Sequence, residues 1–65
     1  MNPVQRRVET MIGVLEAGKT YTIEETVKSG VEAESSLIEK AWDLLVQQGK
    51  AYKIPTKPAR WFYQG

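Results

Sequence analysis

Between Lys50 and Arg60 the chain carries Lys50, Lys53, Lys57 and Arg60 and no acid, with Tyr52 among them and Trp61, Phe62 and Tyr63 directly after. Cations interleaved with aromatic rings suit phosphate neutralisation, with stacking of unpaired bases as a second use. Four neutralised phosphates correspond to a log-log salt slope of about −3.6 on duplex DNA, a weak and mostly non-specific mode. Lysines beside an edge strand also have a plainer use, since charge there discourages pairing with another chain. Both uses can hold at once.

Catalytic chemistry has no comparable set of residues. The 65 residues include no His and no Cys, which removes disulfides, the His/Cys zinc sets and nucleophiles built on those side chains. No Gly-rich phosphate loop occurs. Glu24 and Glu25 read as first-turn carboxylates favoured by a helix dipole. We expect no enzyme, no catalytic residue, no metal site and no cofactor.

Length allows one domain, residues 1–65, near the lower limit for a fold without staples, because a chain this short buries only about 60% of its unfolded surface. With 42% hydrophobic residues and two Trp the chain can still build one core. No run approaches the roughly 18 apolar residues of a membrane span. The expectation is a soluble, intracellular protein, in the cytoplasm or at the nucleoid, with no membrane partner. Net charge is only +1, but its distribution is uneven. From Thr22 to Asp43 the acids Glu24, Glu25, Glu32, Glu34, Glu39 and Asp43 face Lys28 and Lys40, whereas the segment from Lys50 onward has no acid.

Apolar spacing supplies the elements that would hold these charges. Val4, Val8, Met11, Ile12 and Leu15 form one helical stripe, which predicts a first helix over Pro3 to Ala17, with Asn2 as its cap and Gly18 as its stop. Gly13 inside that helix suggests a close crossing. Lys19 to Thr22, with Thr20, Tyr21 and Thr22, reads as a short extended piece that could pair with the later hairpin as a third strand. Thr22 and Glu25 fit a capping box, opening a short second helix with Ile23 and Val27 inward, stopped at Ser29-Gly30, with Val31 turned into the core. From about Ala33, Leu37, Ile38, Ala41, Trp42, Leu44 and Leu45 share one face of a long third helix ending at Gly49. Tyr52 and Ile54 alternate with Lys53 in a strand, Pro55 to Ala59 form a stiff turn, and Trp61 to Tyr63 form the returning strand with Trp61 and Tyr63 inward.

Helix, strand, capped helix, Gly turn, long helix and hairpin is the element order of winged helix-turn-helix domains, so the expected class is α+β, with three helices and a two- or three-stranded antiparallel sheet. Within that superfamily, Leu44-Leu45-Val46-Gln47-Gln48-Gly49-Lys50-Ala51-Tyr52, followed by a turn and aromatics, resembles the C-terminal winged-helix domain of archaeal minichromosome maintenance (MCM) replicative helicases. The turn here departs from the usual one in holding two prolines and no Gly. The resemblance implies a non-catalytic appendage that modulates a replication motor.

The charges sharpen what such a domain would touch. In a DNA-binding helix-turn-helix the second helix of the motif enters the major groove. Its exposed positions here are Glu34, Ser35, Ser36, Glu39, Lys40 and Asp43, and acids on an insertion face repel a polyanion. Nucleic-acid contact is therefore expected chiefly at Lys50, Lys53, Lys57 and Arg60, with Ser35, Ser36 and Lys40 as the helix contribution and Arg6 and Arg7 as flanking charges on helix one. The rival expectation is a protein-interaction module, in which Glu34, Glu39 and Asp43 dock a basic partner and an outward Phe62 adds an apolar contact. The partner is then DNA, another protein, or the remainder of a larger helicase, and the isolated domain is expected to be monomeric. A stand-alone transcription regulator is a third expectation, since the chain starts with Met and could be complete.

Overall fold

The computed structural model describes residues 3–65, so the expected Asn2 cap lies outside it. The elements run α1 (Pro3–Val14), β1 (Lys19–Tyr21), α2 (Ile23–Lys28), α3 (Ser35–Gln47), β2 (Ala51–Ile54) and β3 (Arg60–Tyr63). The result is a small α+β domain with three helices and one antiparallel sheet of order β1-β3-β2. The strand expected near Thr20 does pair with the hairpin: Lys19, Thr20 and Tyr21 face Tyr63, Phe62 and Trp61 across β3.

Two glycine turns set the directions of the chain. Gly49 has φ of +76°, and around it Gly49 N–H donates to Val46 C=O and Lys50 N–H to Leu45 C=O, both at 3.0 Å. That pair of bonds is the Schellman termination, which uses up orphan carbonyls at the end of α3 and turns the chain directly into β2. Gly30, at φ +112°, does the same for α2, with Gly30 N–H on Val27 C=O at 3.0 Å and Val31 N–H on Thr26 C=O at 3.4 Å. Val31 is thereby driven to full burial.

The start of α2 follows the capping box in both halves: Glu25 N–H donates to Thr22 Oγ1 at 3.1 Å, and Thr22 N–H donates to Glu25 Oε1 at 3.0 Å. Such a cap contributes about 1 kcal/mol, a large share for a six-residue helix that could not persist alone.

Trp42 is the hub of the core. It is fully buried, stacks on Trp61 at 5.8 Å and on Tyr21 at 6.1 Å between centroids, and meets Tyr63 edge-on at 6.2 Å. A ring that buries about 200 Å² at about 25 cal/mol/Å² contributes about 5 kcal/mol before entropy is counted, so this cluster dominates the fold. Val8 and Met11 from α1, Leu15 just after it, and Ile38, Ala41 and Leu45 from α3 complete it.

The structure corrects four local expectations. Helix α1 ends at Val14 and not at Ala17, because Glu16 N–H donates to the Tyr21 hydroxyl at 3.0 Å and the helical bonds end with Leu15 N–H on Met11 C=O. Ile12 is 40% exposed and so leaves the buried stripe. Gly13 meets nothing within 4 Å of a Cβ position and marks no helix crossing. In α2 the buried residue is Thr26 and Val27 is 42% exposed, while Ile23 is half-buried and packs against the core as expected. The reason is a polar demand: Trp42 Nε1–H donates to Thr26 Oγ1 at 3.1 Å, and the Thr26 hydroxyl donates to Thr22 C=O at 2.8 Å. A buried indole N–H without an acceptor costs about 1–3 kcal/mol, enough to set the rotation of a short helix.

Candidate functional site

Antiparallel register divides the hairpin into two faces. Ala51, Lys53 and Ile54 pair with Tyr63, Trp61 and Arg60, and Tyr52 pairs with Phe62. Paired residues share a side of the sheet, and the side alternates along each strand. The inner face thus carries Ala51, Lys53, Trp61 and Tyr63; the outer face carries Tyr52, Ile54, Arg60 and Phe62. Trp61 and Tyr63 are buried, as their alternation predicts.

This division separates the basic residues. Lys53 extends from the inner face near its rim, exposed, with Nζ 5.6 Å from the centre of the Trp61 ring. Arg60 lies on the outer face, where Nη1 donates to Glu25 Oε1 at 2.9 Å and reaches Thr20 Oγ1 at 3.5 Å. Lys50 is half-buried where α3 passes into β2, and Lys57 is exposed in the turn. The turn itself is internally braced: Thr56 N–H donates to Ile54 C=O and the Thr56 hydroxyl to Pro58 C=O, each at 2.8 Å. Among the described residues Lys50, Lys53 and Lys57 form no ion pair, so three of the four expected cations are available and Arg60 is engaged.

Glu25 was expected as a cap and not as a site residue. It holds both the Thr22 N–H and Arg60, and its carboxyl sits below the usual carboxylate value, first through the Thr22 amide and then through the Arg60 charge, against some loss of hydration. The capping motif makes Glu25 legible as a helix starter. The partnership with Arg60, 35 residues away, depends on β1 pairing with β3 and not β2, a choice between the two hairpin strands that no local pattern announces.

On the outer face Tyr52 and Phe62 stack at 5.1 Å with planes 20° apart. Tyr52 is 49% exposed and Phe62 half-buried, so the outward Phe62 expected beside Arg60 is present as part of an aromatic pair. This pair is the ring surface accessible for stacking; Trp61 and Tyr63 belong to the core.

Glu34, Ser35, Ser36, Glu39, Lys40 and Asp43 are all exposed on α3, as expected. They do not all border the same hollow, however. At 100° per residue, Ser36, Lys40, Asp43 and Gln47 point away from the core and Glu39 lies about 40° from Asp43 on the edge of that face, yet the two acids open onto different hollows. Asp43 and Lys40 border a shallow hollow of about 400 Å³ with Val4, Gln5, Leu44 and Gln47. Glu39 instead borders a cleft of about 310 Å³, whose other walls are Thr22, Ile23, Glu24, Pro58, Ala59 and Trp61. Glu34 stands at the cap position of α3 without a side-chain capping bond. Arg6 is exposed and Arg7 half-buried on α1.

Among the described residues no helix is long and apolar enough to cross a membrane, and no cluster of acidic side chains could hold a metal ion. No protein-family model, no curated protein and no solved structure matches this chain.

Proposed function

We propose that the chain is a winged-helix domain that binds DNA weakly and largely without regard to sequence, with the β2–β3 hairpin as its wing, and that it serves as an accessory domain of a replication or transcription protein. The observation that carries this reading is the acid-free hairpin, on which Lys50, Lys53 and Lys57 have no ion-pair partner among the described residues. The element order α1-β1-α2-α3-β2-β3 and the three-stranded sheet support the winged-helix assignment. The likeness of the α3–β2 junction to that of the minichromosome maintenance helicases favours replication as the setting.

Charge argues for backbone contact over base reading. Ser35, Ser36 and Lys40 can approach phosphates from α3, but Glu39 and Asp43 flank Lys40 and oppose insertion of that helix. With Arg60 held by Glu25, the wing supplies three cations, and the expected log-log salt slope on duplex DNA is about −2.7. The Tyr52–Phe62 pair adds a stacking surface for unpaired bases, worth about 1–3 kcal/mol per stacked base.

Titration of labelled duplex and single-stranded DNA at about 50 mM salt, with backbone amide shifts followed in parallel, tests the reading. The expected result is binding that weakens steeply with salt and perturbs Lys50 to Lys57, and that a triple Lys50/Lys53/Lys57→Ala variant loses. Absence of binding to either DNA, or full retention in the triple variant, overturns it.

A further inference from the structure

The ring surface on the outer face of the sheet has a direction. Tyr52 and Phe62 lie opposite each other across β2 and β3, with centroids 5.1 Å apart and planes 20° apart, so each ring covers one face of the other. Phe62 is on the central strand of the β1-β3-β2 order, and its second face looks toward Thr20, its partner on β1. Arg60 Nη1 occupies that side, 3.5 Å from Thr20 Oγ1 and 2.9 Å from Glu25 Oε1. Tyr52 is on the edge strand, and its second face looks past β2, where no further strand follows among the described residues. The exposures agree, with Tyr52 49% exposed and Phe62 half-buried. The stack is open at the Tyr52 end.

Charge along that same edge is the independent observation. Lys50, Lys53 and Lys57 follow one another from the end of α3 through β2 into the turn, and none of them forms an ion pair among the described residues. At about 3.3 Å per residue Lys50 and Lys53 arise about 10 Å apart along the chain, one on each side of Tyr52. No acid occurs between Lys50 and Gly65 to offset them. An open ring face thus stands between cations on an unpaired strand edge.

A nucleotide of a single strand brings both parts this edge can use, a flat base for the ring and phosphates for the lysines. Duplex DNA brings the phosphates alone, because each base is covered by its neighbours and extruding one costs unstacking energy. An acidic peptide segment brings charge without a flat ring on each residue. We propose that the open face of Tyr52 stacks one unpaired base of single-stranded DNA, with the flanking phosphates on the lysines of the β2 edge. This rests on the hairpin being the element that contacts DNA, and it names the form of DNA that gains most from it. Phe62 is then the backing that holds Tyr52 upright, and Tyr52 is the stacking position. Base identity is not read, since every base has a π-face.

The test holds the phosphates constant and varies the bases. The intact domain is titrated at low salt with hexathymidylate and with a base-free deoxyribose phosphate strand of the same length, and the aromatic side-chain resonances are followed in parallel. Hexathymidylate should bind about tenfold tighter than the base-free strand, and should shift the Tyr52 ring signals while those of the buried Trp61 and Tyr63 stay in place. Tyr52→Leu should bring hexathymidylate down to the level of the base-free strand without changing the log-log salt slope, since no charge is removed. Tyr52→Trp, which keeps a flat ring at the position, should preserve the difference between the two strands. Equal binding of the two strands by the natural protein, a difference that survives Tyr52→Leu, or its loss in Tyr52→Trp overturns stacking at Tyr52 and leaves phosphate contact by the wing standing. Failure to bind either strand or duplex DNA overturns both.

Discussion

The two faces of the β2–β3 hairpin are made by alternate residues of the same two short strands, yet they are stabilised differently. On the inner face Trp61 and Tyr63 press against Trp42 and are almost fully buried; on the outer face Tyr52 and Phe62 stack on each other and keep solvent contact. Rings of the same kind therefore hold the fold on one side and remain available to a partner on the other. A one-residue slip in register would exchange these roles, which is why the Gly49 turn that sets the start of β2 matters for function as well as fold.

Substitutions at Trp61 and Phe62 put the largest effect on that contrast. Trp61→Ala should cost about 3–5 kcal/mol, the usual range for removing a large buried ring, and most of that cost is lost packing against Trp42. Phe62→Ala should cost far less, about 1 kcal/mol, of the order of an exposed aromatic pair. Chemical denaturation followed by circular dichroism measures both. Equal losses would mean that the outer pair is as structural as the inner one.

A second pair of variants probes how polar satisfaction orients α2. Thr26→Val keeps the shape but removes the acceptor for the Trp42 N–H, and should cost about 1–3 kcal/mol. Val27→Thr, one position along and exposed, should fall within about 0.5 kcal/mol of the natural protein. Thermal melts of the two read the difference directly; a larger loss at Val27 would reverse the assignment of the buried side.

Those two positions show where the sequence is legible and where it stops. The α3 stripe, Trp42 in the core, the capping box, both glycine turns, the pairing of the Thr20 strand and the inward Trp61 and Tyr63 all follow from local periodicity or from residues with special backbone freedom. Thr26 does not, because hydropathy marks Val27 as the inward residue and the need of Trp42 for an acceptor arises 16 residues away. Site residues follow the same rule. The exposed lysines of the hairpin are visible as a charge run, whereas the removal of Arg60 by Glu25 and the opening of Glu39 and Asp43 onto different hollows require the packed elements.

Acid titration tests the Glu25 contact that engages the outer face. The Glu25 carboxyl is held below its ordinary value of 4.5, so its contribution to stability is full above that value and is lost as pH falls through the lowered one. Melting temperature should therefore drop in the acid range, and Glu25→Gln should flatten that part of the profile while leaving the neutral region lower and level. An unchanged acid profile in Glu25→Gln would show that other carboxylates govern it.

The smallest effect concerns which cations the proposed DNA binding would engage. Lys53 is unpaired and exposed, so Lys53→Gln should lower the salt slope of DNA binding by about 0.9, one phosphate contact, with little change in stability. Arg60→Gln should leave the slope nearly unchanged, because the carboxylate of Glu25 already occupies the guanidinium at 2.9 Å. Releasing it reverses the order. In Glu25→Gln, Arg60 becomes a free cation on the face that carries Tyr52 and Phe62, and the slope should steepen by about 0.9; adding Arg60→Gln to that background should remove the gain. If Arg60→Gln alone matches Lys53→Gln, phosphate displaces Glu25 on binding, and the two faces of the hairpin act as one electrostatic surface toward DNA.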